Sequence, residues 1–503
     1  MKFGAYLASH AQRTPDKEAV VCGETRWSFA ELESRTNVLA AALQAAGLEV
    51  GDRVALVLPS NEMFVEAFLA VVKAGGLAVT INTRLAEPEV RYILDDCMPR
   101  FVFVAKESID KVASAAVVRF GVDCLPLGGF TRESLLMGAP TLPKPLAADV
   151  DECMICYTSG TTGFPKGAVL TQSNYVLTNG FFNAVQLGMT RDERQLVMVS
   201  MAHRAGFARL ANMILHGSTL VIVSKFDAEE VAELISRERI SVMGIVPTVG
   251  RMLLDSIERG PERFASLRIM TVTGEAFPVE VQRRLSAALP ALRMYSFFGQ
   301  TEAGVITLLE PHELETHPSS VGRVNPGVEV RVVGADGQKV PPGEVGEIQV
   351  RSGEPGRFLT MKRYFNRVEA TAEVFDGAWL RTGDLGRFDK DHYLYLVDRK
   401  KDMVLSGGYN VYSKEVELVL RGFAGVDDAA VFGVPDVVYG EAVVAVIEAK
   451  EPSAFNLDAL MAYCKTQMAG YKKPKYVYVL AELPRNSNGK VLKTELRELY
   501  STG

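Results

Sequence analysis

Tyr157-Thr-Ser-Gly-Thr-Thr-Gly-Phe-Pro-Lys-Gly-Ala168 follows directly on an apolar run, Cys153 to Cys156, that reads as a strand. Three glycines, four aliphatic hydroxyls and one lysine fall within these twelve residues. Gly160, Gly163 and Gly167 let the backbone reach positive φ and come close to a ligand. Thr158, Ser159, Thr161 and Thr162 supply hydroxyl donors, the exposed N–H groups form an anion-binding concavity, and Lys166 adds a point charge. A polyphosphate needs that combination. The loop is not a Walker A sequence, because the second glycine that motif requires falls on Pro165. A strand running into a phosphate loop predicts an α/β fold.

The rest of the composition agrees. With 503 residues the chain exceeds the size at which one core stops growing, so at least two domains are expected. Apolar residues make up 48% and charged residues 23%, with a net charge of −6. That balance offers no footprint for nucleic acid or an anionic membrane, so any polyanion is bound by local geometry. The N-terminus carries no secretory pattern, and no apolar run is long enough for integral membrane association. Six scattered cysteines make no disulfide framework, and the Cys153-Met-Ile-Cys156 pair lies on the apolar run, where a core role is expected. The expected location is cytoplasmic, with a homodimer an admissible assembly.

Strand and helix patterns alternate along the chain. Val54 to Leu58, Leu77 to Ile81 and Phe101 to Val104 read as strands, with a helix from a Ser60 cap to about Ala74 and another over Glu87 to Asp96. Asp123 to Asp149 is a Pro/Gly-richer connection. Further strands are expected at Leu196–Ser200, Thr219–Val223, Val242–Val246, Ile269–Thr273 and Met294–Phe298. This predicts parallel sheets with ligands beyond the carboxyl ends of the strands, where His203, Gly274-Glu275-Ala276 and Gly299-Gln300-Thr301-Glu302 lie. From Val321 to Val350 the period becomes two, with a hairpin signal at Asp336-Gly337, so an antiparallel, barrel-like part is expected. Beyond Leu396 comes a small α+β unit, with a helix capped by Ser413 and strands near Ala429–Val434 and Val443–Ala449. The expected domains are 1–397, a hinge at 398–401, and a mobile C-terminal domain at 402–503.

Collectively these motifs resemble the adenylate-forming superfamily of acyl-CoA synthetases, peptide-synthetase adenylation domains and firefly luciferase, and most of all a bacterial acyl-CoA ligase. The loop is similar to that family's phosphate loop, and Phe298-Gly-Gln-Thr-Glu302 to its Tyr-Gly-x-Thr-Glu motif. Arg381-Thr-Gly-Asp384 is similar to its Thr-Gly-Asp motif, Asp398 to Asn410 to its hinge and glycine turn, and Pro484 to Lys490 to its C-terminal lysine motif. Phe298 replaces the usual tyrosine, Ser296 stands where an Asn is common, and Asn486 and Asn488 depart from the lysine motif.

The resemblance implies an ATP-dependent, AMP-forming acid–thiol ligase. A carboxylate attacks the α-phosphate of ATP, pyrophosphate leaves, and the acyl-adenylate then meets a thiol. Two anions must meet, so cations and donors aimed at the phosphoryl oxygens are required. By resemblance Glu302 holds Mg²⁺, Thr301 bonds the α-phosphate and Lys490 neutralises the growing charge. The loop binds the β- and γ-phosphates, Phe298 and Gly274-Glu275-Ala276 hold the adenosine, and Asp384 with Arg399 takes the ribose. Lys401 is the implied hinge, Gly407-Gly408 the turn facing the thiol tunnel, and His203 the gate of the acyl pocket.

CoA is the expected acceptor, with carrier-protein loading as the alternative; a non-catalytic nucleotide-binding module is the reading from another class. The acyl pocket is expected among His203, the helix after Val246-Pro247-Thr248, and Phe297 to Ile306. Gly250 would offer depth and Phe297 an apolar wall, favouring an aromatic or other hydrophobic monocarboxylic acid; the alternatives are fatty and dicarboxylic acids. Arg204, Arg209 and Arg251 are expected on the surface, and one of them inside the pocket would favour a second carboxylate or another polar group.

Overall fold

The computed structural model describes the chain except residues 1, 113–117, 122–134, 138, 147–149, 159–164, 224, 274–276, 486–489 and 501–503. The chain divides into two compact units. The smaller holds residues 331–349 and 381–503, and the larger holds almost all the rest.

Two sheets build the larger unit. In the seven-stranded sheet, Glu152–Thr158, Leu77–Thr80, Arg53–Val57, Phe101–Val104 and Val118–Gly121 lie side by side and parallel. Lys166–Thr171 folds back antiparallel on Glu152–Thr158, and Arg363–Tyr364 adds at the edge beside it. The inner strands Leu77–Thr80 and Phe101–Val104 are wholly buried, and Arg53–Val57 is buried beyond Arg53, as expected of parallel strands covered on both faces. Cys153 and Cys156 are buried in one of them, which confirms their core role; burial pushes the Cys156 thiol up to about 12.

The nine-stranded sheet has six inner parallel strands in the order Arg293–Gln300, Ile269–Val272, Val242–Ile245, Arg194–Val197, Thr219–Ile222 and Glu18–Cys22. Antiparallel strands finish both ends. The helix Glu62–Lys73 buries Phe64, Phe68 and Val71. Phe68 meets Phe207, from the helix Arg204–His216, with ring centroids 4.5 Å apart. Asn61, not Ser60, caps the first of these helices by accepting the Phe64 N–H at 3.1 Å. Ser60 turns away, and its hydroxyl accepts the Met201 N–H at 2.9 Å.

In the smaller unit, Asp336-Gly337 makes the expected hairpin turn, with Gly337 at φ +79° and Val333 bridged to Lys339. Residues 384–388 of the strand Trp379–Phe388 pair antiparallel with Leu394–Arg399. Beyond lies a sheet made by Val404–Ser406, Tyr409–Val411, Asp428–Asp436, Gly440–Glu448 and Tyr476–Leu480. One core, around Val404, Val431, Ala445, Leu420 and Leu460, packs against the helices Ser413–Arg421 and Leu457–Gln467. The other, around Phe432, Val444 and Leu496, is covered by the helix Lys493–Tyr500. Ser413 opens its helix without capping it: its N–H and its hydroxyl both donate to Asp398, the hydroxyl at 2.9 Å. Among the described residues, no helix is long and apolar enough to cross a membrane.

Candidate active site

In the larger unit the site grows from strand ends. Arg293–Gln300 loses its regular register between Phe298 and Gly299. A Cβ on Gly299 would stand 2.2 Å from the Gly304 carbonyl oxygen, so only glycine lets the hairpin close this tightly. The turn before Gly304, at φ +72°, therefore pushes out Thr301 and Glu302. The half-buried Glu302 carboxylate accepts at one oxygen from Thr158 Oγ1 at 2.9 Å and from the Tyr364 hydroxyl at 3.0 Å. Burial and the neighbouring carboxylate push the Tyr364 phenol well up, so it stays a donor. Lys166 Nζ lies 5.4 Å from the Tyr364 ring centroid, a cation–π contact that holds the ammonium beside the carboxylate.

Arg204 fixes the neighbouring backbone. Its guanidinium donates to the Thr301 carbonyl and, at 2.9 Å, to the Leu359 carbonyl. His203 stands at the N-terminal boundary of the same helix, with no capping bond from its side chain. Thr80, at the end of a strand of the other sheet, donates to the Ala202 carbonyl at 2.8 Å. The Asn82 amide faces His203 Nε2 at 3.1 Å. Burial lowers the His203 pKa, so the ring is neutral at physiological pH. An uncharged ring beside a bound anion can close a pocket without trapping the anion.

In the smaller unit, Gly383 at φ +69° turns Asp384 inward, and the Asp384 N–H donates to the Thr382 hydroxyl at 3.1 Å. The buried Asp384 carboxylate pairs with Arg399 Nε at 2.6 Å. Lys490 keeps a solvent-open surface, while partial desolvation and then the charges of Arg399 and Lys401 lower its pKa, against Asp384 and Asp402. Partial desolvation likewise lowers Lys401, whose side chain still reaches the surface. Burial raises Asp398 despite Lys493 and its hydrogen-bonding partners. Gly407 and Gly408 form a two-residue turn between Ser406 and Tyr409 with φ of +58° and +82°, the conformation that favours glycine twice.

The structure thus groups Thr158, Lys166, Thr301, Glu302 and His203 in one unit, and Asp384, Arg399, Lys401 and Lys490 in the other. Phe298 is buried on the strand that feeds the Thr301 turn. Ser159, Gly160, Thr161, Thr162, Gly163, Gly274, Glu275 and Ala276 lie outside the described residues, as does most of the connection 123–149. Sequence reasoning missed Tyr364, Asn82 and the bracing role of Arg204. Tyr364 stands on a two-residue strand whose only signal is its pairing with Ala168. Two expectations about the acyl pocket fail. Gly250 opens no depth, because a Cβ there would meet Ile245 at 3.1 Å and Phe277 at 3.4 Å. Of the three arginines, Arg251 is exposed, but Arg204 and Arg209 are turned inward.

Hard oxygen donors at Glu302 suit Mg²⁺, which keeps few protein ligands and shares phosphate oxygens. A carboxylate held beyond the end of a parallel strand stands where such sheets bind their ligands, and comparison with known proteins makes the chain an ATP-dependent, AMP-forming ligase. The chain belongs to the AMP-binding enzyme family: that family's model matches residues 7–365, and the model for its C-terminal domain matches 415–490. It is 36% identical over 504 residues to a feruloyl-CoA synthase from an Amycolatopsis species, covering 99% of each chain. It is also 36% identical over 515 residues to a long-chain-fatty-acid–CoA ligase of Mycobacterium tuberculosis, covering 99% of this chain and 98% of the relative. Among solved structures it is similar to o-succinylbenzoate coenzyme A synthetase from Bacillus subtilis in complex with ATP and magnesium ion. The TM-score is 0.86 at 30% identity, with 98% of this chain and 99% of that chain covered.

Proposed function

We propose that this protein is an acyl-CoA ligase that adenylates an aromatic or other hydrophobic carboxylic acid and passes the acyl group to CoA. The observation that carries the reading is Glu302, held by Thr158 and Tyr364 at the turn beyond a parallel strand. Full-length likeness to CoA ligases of an aromatic and of a fatty acid supports the acceptor and the apolar acid. Glu302 would hold Mg²⁺, which when bound offsets phosphate charge. Thr301 bonds the α-phosphate, and Arg204 keeps that residue's backbone in place. Lys490 supplies the positive charge for adenylation, and Asp384 with Arg399 receives the ribose hydroxyls. His203, neutral and oriented by Asn82, closes the acyl pocket. The C-terminal domain, 402–503, turns about a hinge at 398–401 so that Lys490 gives way to the thiol arriving past Gly407-Gly408. The free cysteines, four of the five described ones buried, fit a reducing, cytoplasmic location.

Carboxylate-dependent exchange of pyrophosphate into ATP tests this directly. Exchange should appear with aromatic or fatty acids, and a broad panel of acids giving none would sink the reading. Free CoA should then yield a thioester; thioester formed only on a carrier protein would replace the acceptor.

A further inference from the structure

We infer that the acid carries a second anionic group, distal to the carboxylate that is activated, and that Arg209 reads it. This rests on the ligase reading above. Arg209 lies on the helix that follows His203, six residues further on, or about 9 Å along the axis. Only 7% of the residue is exposed. Its guanidinium lies against Gly244: a Cβ there would be 2.1 Å from Nη2 and 2.8 Å from Nε. The missing side chain is what makes room for the group.

The partners are too few for such a buried cation. Nη2 donates to the Thr271 hydroxyl at 2.6 Å. Among the described residues Nε is buried with no hydrogen-bond partner, and no carboxylate pairs with Arg209. Other arginines here are compensated: Arg194 meets Glu18 and Glu238, and the inward-turned Arg204 meets two carbonyls. A buried guanidinium left with one neutral acceptor is costly unless something else supplies negative charge.

The surroundings identify that supplier. Gly244, Thr271 and Tyr295 are register partners on adjacent parallel strands, so they face one side of the sheet, and Phe297 follows two residues later on that side. The same strand continues to Thr301 and Glu302, and the same helix begins at His203 and Arg204. An acid with its reacting carboxylate at the strand ends would lay an apolar body along the partly exposed Phe297, above the core that Tyr295 closes. Its far end would reach the guanidinium, whose planar fork matches a carboxylate. Arg204 is committed to the Thr301 backbone, which leaves Arg209 for the substrate.

Paired acids test this: one series with an aromatic or alkyl body ending in a carboxylate, the other ending in its methyl ester. Pyrophosphate release by the wild-type protein should favour the terminal carboxylate by roughly 10- to 100-fold in kcat/KM, the range of a charge-assisted hydrogen bond. In Arg209→Met the preference should fall below about 3-fold, mainly through a raised KM for the diacid, with the KM for ATP unchanged. Should that variant not fold, wild-type thermal unfolding still decides: the diacid should protect the protein more than its ester. Equal use of esters and diacids, or a preference that survives Arg209→Met, overturns the inference and leaves the ligase standing. No exchange with either series would instead remove the ligase reading itself.

Discussion

Tyr364 gives Glu302 a hydroxyl donor that no local pattern announces. If that bond orients the carboxylate toward the metal, Tyr364→Phe should lower kcat/KM for ATP by about tenfold and shift the magnesium dependence to higher concentration. A magnesium titration of pyrophosphate release reads both. Lys490 predicts a pH effect whose sign is fixed by its surroundings. Desolvation and the charges of Arg399 and Lys401 lower its pKa in the free protein, so it loses its proton before an ordinary lysine as pH rises. Adenylation should therefore decline on the alkaline side earlier than an unperturbed lysine would allow, and Lys490→Arg should move that limb upward. A profile of kcat/KM against pH checks it. His203, lowered by burial, should add no acid limb near its ordinary value in the same profile. Glu302, Thr301, Asp384 and Lys490 could be named as candidates from the sequence because each belongs to a short run of fixed spacing. The pairings of Tyr364, Asn82 and Arg209 could not be read there, because their partners are 62, 121 and 62 residues away.

The helix Arg204–His216 connects the site to the core. Below Arg209 it buries Asn212, whose carbonyl oxygen accepts from Asn179 and Asn183 at 2.8 Å each and whose amide donates to Gln195 at 2.8 Å. Gln195 continues to Ser218. Asn212→Leu would take one hydrogen bond from each of three buried amides, those of Asn179, Asn183 and Gln195, and should cost about 3 kcal/mol in the larger unit's urea unfolding at unchanged m-value. Most strands were legible to within a few residues, because apolar runs bounded by turn residues suffice for parallel sheets. The caps were less so: Ser60 and Ser413 each precede or open a helix, yet both spend their hydroxyls on tertiary partners. A cap motif names candidates, and packing selects among them.

At the scale of the whole molecule, the proposed division of labour separates two half-reactions. Lys490→Ala should cripple adenylation far more than thioester formation from preformed acyl-adenylate; equal losses would refute a mechanism in two conformations. Lys401→Pro, which fixes φ and removes an N–H at the proposed hinge, should do the opposite and slow thioester formation while sparing exchange. Both are read by assaying the half-reactions apart. The sequence order of the motifs made the two-part plan legible, but not the return of residues 331–349 into the smaller unit, which depends on pairing distant in the chain.

Both cores of the C-terminal sheet are drawn from residues between Val404 and Tyr500. Just before them stand Arg399, Lys400 and Lys401, the last two well exposed. Limited trypsin digestion should therefore nick the chain there and leave a C-terminal fragment that retains its whole core. Such a cut would place Lys490 and Glu302 on different polypeptides. The signature would be activity lost at the rate of a single cleavage while the circular dichroism stays unchanged.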